Sequence, residues 1–137
     1  MKGEKLVGRL ATGIGLGKTF TRLDWSRRQF IGRVGIDPYP GTINVIVDDP
    51  ESMQVWVRLK QTDGIYMDNP NNGPLECDAR CWLVTIKART ADPIKGAIVF
   101  PLVDGYPPAQ VEVIASISVR NAVGIEDGDS VTLVLED

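Results

Sequence analysis

Gly35-Ile36-Asp37-Pro38-Tyr39-Pro40-Gly41-Thr42-Ile43-Asn44-Val45-Ile46-Val47 is the stretch on which the fold turns. Pro38 and Pro40 fix φ and remove backbone donors, so no helix crosses them. Beyond Gly41 the β-branched run Thr42–Val47 predicts a strand. Upstream, Asp24 can cap a helix from about Trp25 to Val34, with Phe30, Ile31 and Val34 on one face. Gly35 is then its natural C′ stop.

Working outward, the same pattern recurs. Lys5–Leu10 alternates as a strand, and Phe20–Leu23 could pair back with it. Gln54–Leu59 (QVWVRL) alternates too and is predicted as a strand. Cys81–Ala88, Gly96–Leu102, Val111–Val119 and Ser130–Leu135 complete the set, the last introduced by the turn Glu126-Asp127-Gly128-Asp129. Asp68–Pro74 (DNPNNGP) is a loop by composition. An internal echo links Val34-Gly35-Ile36-Asp37 before TINVIV with Val123-Gly124-Ile125-Glu126 before SVTLVL. A duplicated strand unit or chance could each produce it. Many short strands with turns between them predict a mainly β chain, a small barrel with one or two short helices.

Composition bounds the chemistry. The chain has 137 residues, the size of one domain, 1–137. Its net charge of −3, with charges mixed along the chain, argues against a nucleic-acid partner. No apolar run reaches the roughly 18 residues of a membrane span, and MKGEKLVGRL lacks a signal peptide's apolar core, so a cytoplasmic location without membrane contact is expected. No histidine is present, which removes Ser–His and Cys–His nucleophile pairs and leaves carboxylates, lysine, backbone amides or an oxygen-held metal. Cys77 and Cys81 are too few for a metal site and read as structural thiols.

Three features carry chemistry. Thr12-Gly13-Ile14-Gly15-Leu16-Gly17-Lys18-Thr19 invites a phosphate-binding reading. A P-loop wants a glycine five positions before the glycine that precedes the lysine, and Thr12 stands there. The dinucleotide fingerprint wants a helix directly afterwards, where Phe20-Thr21-Arg22-Leu23 looks like strand. The glycines still allow a concavity of exposed N–H groups beside Lys18, a flexible hairpin tip being the simpler alternative. Thr42 and Asn44 share a strand face and offer two neutral oxygens, enough for Mg²⁺ once phosphates and water complete its octahedron. They could equally face solvent. Glu112 is a carboxylate inside the apolar run VEVIA, opposite in face to Val111 and Val113, and is either a ligand-binding group or a surface glutamate.

Taken in order, TGIGLGKTF, GIDPYPGTINV, Gly96-Ala97-Ile98-Val99-Phe100-Pro101, Val111-Glu112-Val113-Ile114-Ala115 with Val119-Arg120, and Gly124-Ile125-Glu126-Asp127-Gly128-Asp129 resemble the archaeal CTP-dependent riboflavin kinases over nearly the whole chain. The resemblance implies a cradle-loop β-barrel that works on CTP/CDP and riboflavin/FMN, and a monomer is the expectation. It implies that Gly13, Ile14, Gly15, Leu16, Gly17, Lys18 and Thr19 wrap the nucleotide, with Ile117, Ser118, Val119 and Arg120 contacting it. It makes Thr42 and Asn44 ligands of Mg²⁺, and Glu112 a flavin-binding residue that could take the ribityl hydroxyl proton. Asp104 stands where the family carries a flavin-holding threonine, and Ser116 replaces a usual proline. An aspartate there would repel a developing phosphate. A riboflavin kinase with a variant acceptor loop, a kinase for another small hydroxyl compound, and a non-catalytic nucleotide- or flavin-binding barrel therefore all stay open. No helix-turn-helix accompanies the barrel, which argues against a self-contained DNA-binding regulator.

Overall fold

The β-branched run after Gly41 forms strand β2 (Ile43–Val47), in a computed structural model that describes residues 1–11, 24–39, 42–68, 78–88 and 92–136, without the side chains of 24–26. The other strands are β1 (Lys5–Ala11), β3 (Ile65–Met67), β4 (Ala79–Lys87), β5 (Ile94–Pro101), β6 (Gln110–Ala115) and β7 (Ser130–Leu135). All pair antiparallel in the order β3-β4-β5-β6-β2-β1-β7, and β7 also pairs with β4. That last pairing closes six strands into a barrel, with β3 added on β4. Closure removes the exposed edges that an open sheet of this size would have to protect.

Alternation separates two cores. Leu6, Leu10, Val45, Val47, Val84, Val111, Val113 and Leu133 fill the interior. Cys81, Ala97, Val99 and Ile114 face the other way and are covered by Phe30, Val34, Ile36 and Met67. The sheet is thus buried on both faces where these residues lie, which explains why β6 reads as a near-continuous apolar run. Burial also pushes the Cys81 thiol up to about 12, in keeping with an inert structural thiol. Cys77, Phe20–Leu23 and the loop residues 69–74 lie outside the described residues.

Helix α1 (Asp24–Gln29) runs into a wider turn over Phe30–Val34, and Gly35 ends it at φ 81° with its N–H donated to the Phe30 carbonyl. The wider turn keeps Phe30 and Val34 on the buried face but turns Ile31 out to 47% exposure, so the expected three-residue face is reduced to two.

Gln54–Leu59 is not a strand. It lies in helix α2 (Pro50–Lys60), whose buried residues Ser52, Val55, Trp56 and Leu59 keep helical spacing. Asp49 caps it, accepting from the Ser52 N–H at 2.9 Å, and Pro50 occupies the first turn. The Ser52 hydroxyl accepts from the Val7 N–H at 2.9 Å, at a point on β1 before its pairing with β2 begins. Trp56 packs edge-on against Trp82 and Phe100, at 6.0 and 5.7 Å between centroids. The strand predicted over 111–119 also ends early, at Ala115, and α3 (Val119–Val123) follows, capped by Ser118.

The sequence echo has a structural counterpart. Gly35 and Gly124 each end a helical segment with positive φ, at 81° and 70°. Each is followed by a buried isoleucine, Ile36 or Ile125, and then by a strand that flanks β1.

Gly8 leaves no room for a side chain between β1 and β2: a Cβ there would sit 2.4 Å from the Ile46 carbonyl oxygen. Backbone cannot rotate away, so Gly8→Ala should cost about 3 kcal/mol, the upper range for overpacking. A urea-unfolding midpoint unchanged from the parent chain would contradict this.

Candidate functional site

Val111 and Val113 point into the barrel, which sends Glu112 to the outer wall. There it is covered rather than solvated, with 3% of its surface exposed. Its register partner across the β2–β6 pair is Asn44, itself 9% exposed. Thr42, two residues before Asn44, shares that face and donates its hydroxyl to Glu112 Oε2 at 3.2 Å. The Tyr106 hydroxyl donates to Glu112 Oε1 at 2.7 Å. Gln110, two residues before Glu112 on the same face, donates from Nε2 to the Tyr106 oxygen at 3.3 Å.

The two carboxylate oxygens are therefore held from opposite directions along β6. Tyr106 and Gln110 approach from the β5–β6 loop side, and Thr42 from the far end of the strand. Burial still pushes the Glu112 carboxyl above the ordinary carboxylate range, although hydrogen bonds from Tyr106, Thr42 and Gln110 pull it down. Burial, reinforced by the Glu112 charge, pushes the Tyr106 phenol up as well, so it remains a donor. A buried carboxylate held against its own desolvation stabilises nothing by itself, and such groups cluster at functional sites.

Beside this network lies an open cleft of about 200 Å³, lined by Tyr39, Thr42, Ile43, Val113, Ala115 and the segment Ile117, Ser118, Val119 and Arg120. The Tyr39 N–H donates to the Ala115 carbonyl at 2.8 Å, fastening the Pro38–Tyr39 segment to the end of β6. Ile117 is 47% exposed at the cleft, Ser118 caps α3, and Arg120 pairs with Asp127 at 2.8 Å. The turn carrying Asp127 is tied to β1, since the Gly128 N–H donates to the Leu10 carbonyl at 2.7 Å.

Residues Gly13 to Thr19 lie outside the described residues. Their point of departure is described: Ala11, the last residue of β1, pairs with Asn44. The structure thus brings Thr42, Asn44, Glu112 and Ile117–Arg120 to one region, at the end of β1 from which the glycine segment continues. Asp104 is exposed on the β5–β6 loop, two residues before Tyr106. Sequence reading missed Tyr106 and Gln110. Gln110 carried a signal, because it is two residues before Glu112 on one strand; Tyr106 carried none, because only the folded loop returns it to Glu112.

Thr42 and Asn44 fit a divalent metal. Both donors are neutral side-chain oxygens two residues apart on one face at the start of β2, beside Glu112. That donor set suits a cation that arrives with phosphates.

A family model, CTP-dep_RFKase, described as a domain of unknown function (DUF120), matches residues 10–135. A protein from Methanocella arvoryzae named riboflavin kinase is 35% identical over 133 residues, covering 94% of this chain and 56% of that protein. A protein of the same name from Pyrobaculum calidifontis is 36% identical over 129 residues, covering 94% and 58%. One from Methanobrevibacter smithii is 32% identical over 129 residues, covering 94% and 98%. The chain thus spans little more than half the length of the first two relatives and nearly all of the third.

Proposed function

The chain belongs to the CTP-dep_RFKase family, and from that premise we propose that it transfers the γ-phosphoryl group of CTP to the ribityl 5′-hydroxyl of riboflavin, forming FMN and CDP. The observation that carries this reading is the buried Glu112, held by Thr42 and Tyr106 and opposite Asn44, beside the cleft lined by Ile117–Arg120. Relatives named riboflavin kinase support the same acceptor.

In this reading Glu112 binds the flavin's ribityl end and accepts the proton of the attacking hydroxyl. Transfer proceeds through a loose transition state, so orientation matters more than base strength, and a carboxylate raised by burial is adequate. Residues Gly13–Thr19 enclose the nucleotide phosphates with backbone N–H groups and Lys18, and Ile117–Arg120 hold the rest of the nucleotide. Thr42 and Asn44 would hold Mg²⁺. When bound, that ion supplies charge neutralisation at the transferring phosphates. Residues 1–137 act as one catalytic domain and as a monomer, a reading supported by the closed barrel and by an added strand, β3, of only three residues. The location is cytoplasmic in this reading; no described helix is long and apolar enough to cross a membrane.

Asp104 favours a second reading, a kinase for a different hydroxyl acceptor, because its charge stands on the β5–β6 loop where the resemblance puts a flavin-holding threonine. The deciding experiment offers riboflavin and Mg²⁺ with CTP, ATP, GTP and UTP separately. FMN should form preferentially with CTP. CTP or CDP binding by calorimetry without FMN from any donor would overturn the acceptor and keep the nucleotide half.

A further inference from the structure

We propose that Tyr106 is a positioning residue for the acceptor site: it fixes the Glu112 carboxylate and couples it to the loop carrying Asp104. The inference rests on the flavin-acceptor reading above and adds a residue to it.

A glutamate has three side-chain torsions, the last of them broad, so burial alone does not orient its carboxylate. Here Oε1 is held by the Tyr106 hydroxyl at 2.7 Å, the shorter of its two contacts, and Oε2 by Thr42 at 3.2 Å. The Tyr106 oxygen is itself aimed, because it accepts from Gln110 Nε2 at 3.3 Å while donating to Glu112. The chain of donors therefore runs one way, from Gln110 through Tyr106 to Glu112.

The ring is held as well as the hydroxyl. Phe100 meets it edge-on, with centroids 5.7 Å apart and planes at 86°. Phe100 in turn meets Trp56 of α2 at 5.7 Å and 85°, and the Lys60 ammonium lies 5.0 Å from the Trp56 ring centroid. Trp56 is 1% exposed, so this aromatic series is anchored in the barrel core. The loop residues Leu102–Gly105 are exposed, yet the residue that follows them is fastened at both ring and hydroxyl. Tyr106 is thus the point at which a solvent-exposed loop is tied to the buried carboxylate. Oε2 faces the side from which Thr42 and the cleft approach, and it is the oxygen left to the acceptor when Oε1 stays on Tyr106.

The test is riboflavin binding by flavin fluorescence quenching, with CDP binding measured by calorimetry on the same samples. Tyr106→Phe keeps the ring and its Phe100 contact and removes only the hydroxyl. It should weaken riboflavin binding about tenfold, the scale of a hydrogen bond to a charged group, and leave CDP affinity within about twofold. Added to Glu112→Ala, which removes the group that Tyr106 holds, the same change should have almost no further effect, because two residues acting through one contact are not additive. A merely structural role would instead add in full and would weaken CDP as well. Should Tyr106→Phe not fold, Gln110→Met removes the other partner of the hydroxyl and should weaken riboflavin binding in the same direction. Riboflavin binding unchanged in Tyr106→Phe, or fully additive loss, would overturn the inference while leaving the kinase reading intact. No riboflavin binding by the unaltered chain would overturn the kinase reading and this inference with it.

Discussion

Glu112→Gln should slow FMN formation by at least about 100-fold, the lower range for loss of a positioned acid–base group, and should make the protein more stable at alkaline pH. Glutamine keeps an acceptor for the Tyr106 hydroxyl and nearly the same volume, so packing on the outer wall is preserved. What is lost is the charge. The folded-state carboxyl lies above its ordinary value because burial outweighs its hydrogen bonds. The folded state therefore binds this proton more tightly than the unfolded chain does, and the group favours folding below its unfolded pKa. That contribution disappears as pH rises through the folded pKa. Glutamine has no such dependence. The melting temperature of the variant relative to the parent should climb from about pH 4 upward and level off once the folded carboxyl is ionised. Undiminished turnover would remove Glu112 from the chemistry; a difference in melting temperature that stays flat with pH would mean that the carboxylate is not held against its desolvation.

The second large effect is expected at Asn44. Asn44→Ala should reduce turnover by on the order of 100-fold, as for loss of one electrostatic group at a transition state, and should raise the Mg²⁺ concentration needed for half-maximal rate. Asn44 is the cleaner probe of the two candidate ligands. Thr42 also donates to Glu112, so its removal would disturb the acceptor carboxylate together with the metal. Asn44 lies opposite Glu112 in register and can be shortened without removing either hydroxyl contact to the carboxylate. Riboflavin binding in the absence of metal should be unchanged. Unaltered Mg²⁺ dependence would exclude Asn44 as a ligand.

These effects trace to parts of the chain that differed in how openly the sequence displayed them. β2 was legible because β-branched residues follow two prolines and a glycine, a combination that excludes helix and favours a pleated strand. β7 was legible from its β-branched alternation after the turn Glu126-Asp127-Gly128-Asp129. α2 was not, because six residues of QVWVRL satisfy alternation as well as helical spacing; the Asp49-Pro50 start and the buried spacing of Ser52, Val55, Trp56 and Leu59 decide for helix. The end of β6 was displaced for a similar reason, since Ser118 can continue an alternating run or cap a helix, and its acceptance of the Asn121 N–H makes it a cap.

By itself the sequence determined which residues could share a face: Thr42 with Asn44, and Glu112 apart from its valine neighbours, because strand geometry alternates side chains with a period of two. It also determined the excluded chemistry, since no histidine is available to any fold. Only the tertiary structure decided that β2 and β6 are neighbours in a register that sets Asn44 against Glu112. The same structure decided that the outer wall at Glu112 is covered, and that Tyr106 returns from a loop to hold the carboxylate. Pairing partners, register and loop return are contacts between segments far apart in the chain, and local propensity carries no information about which distant segment will complete them.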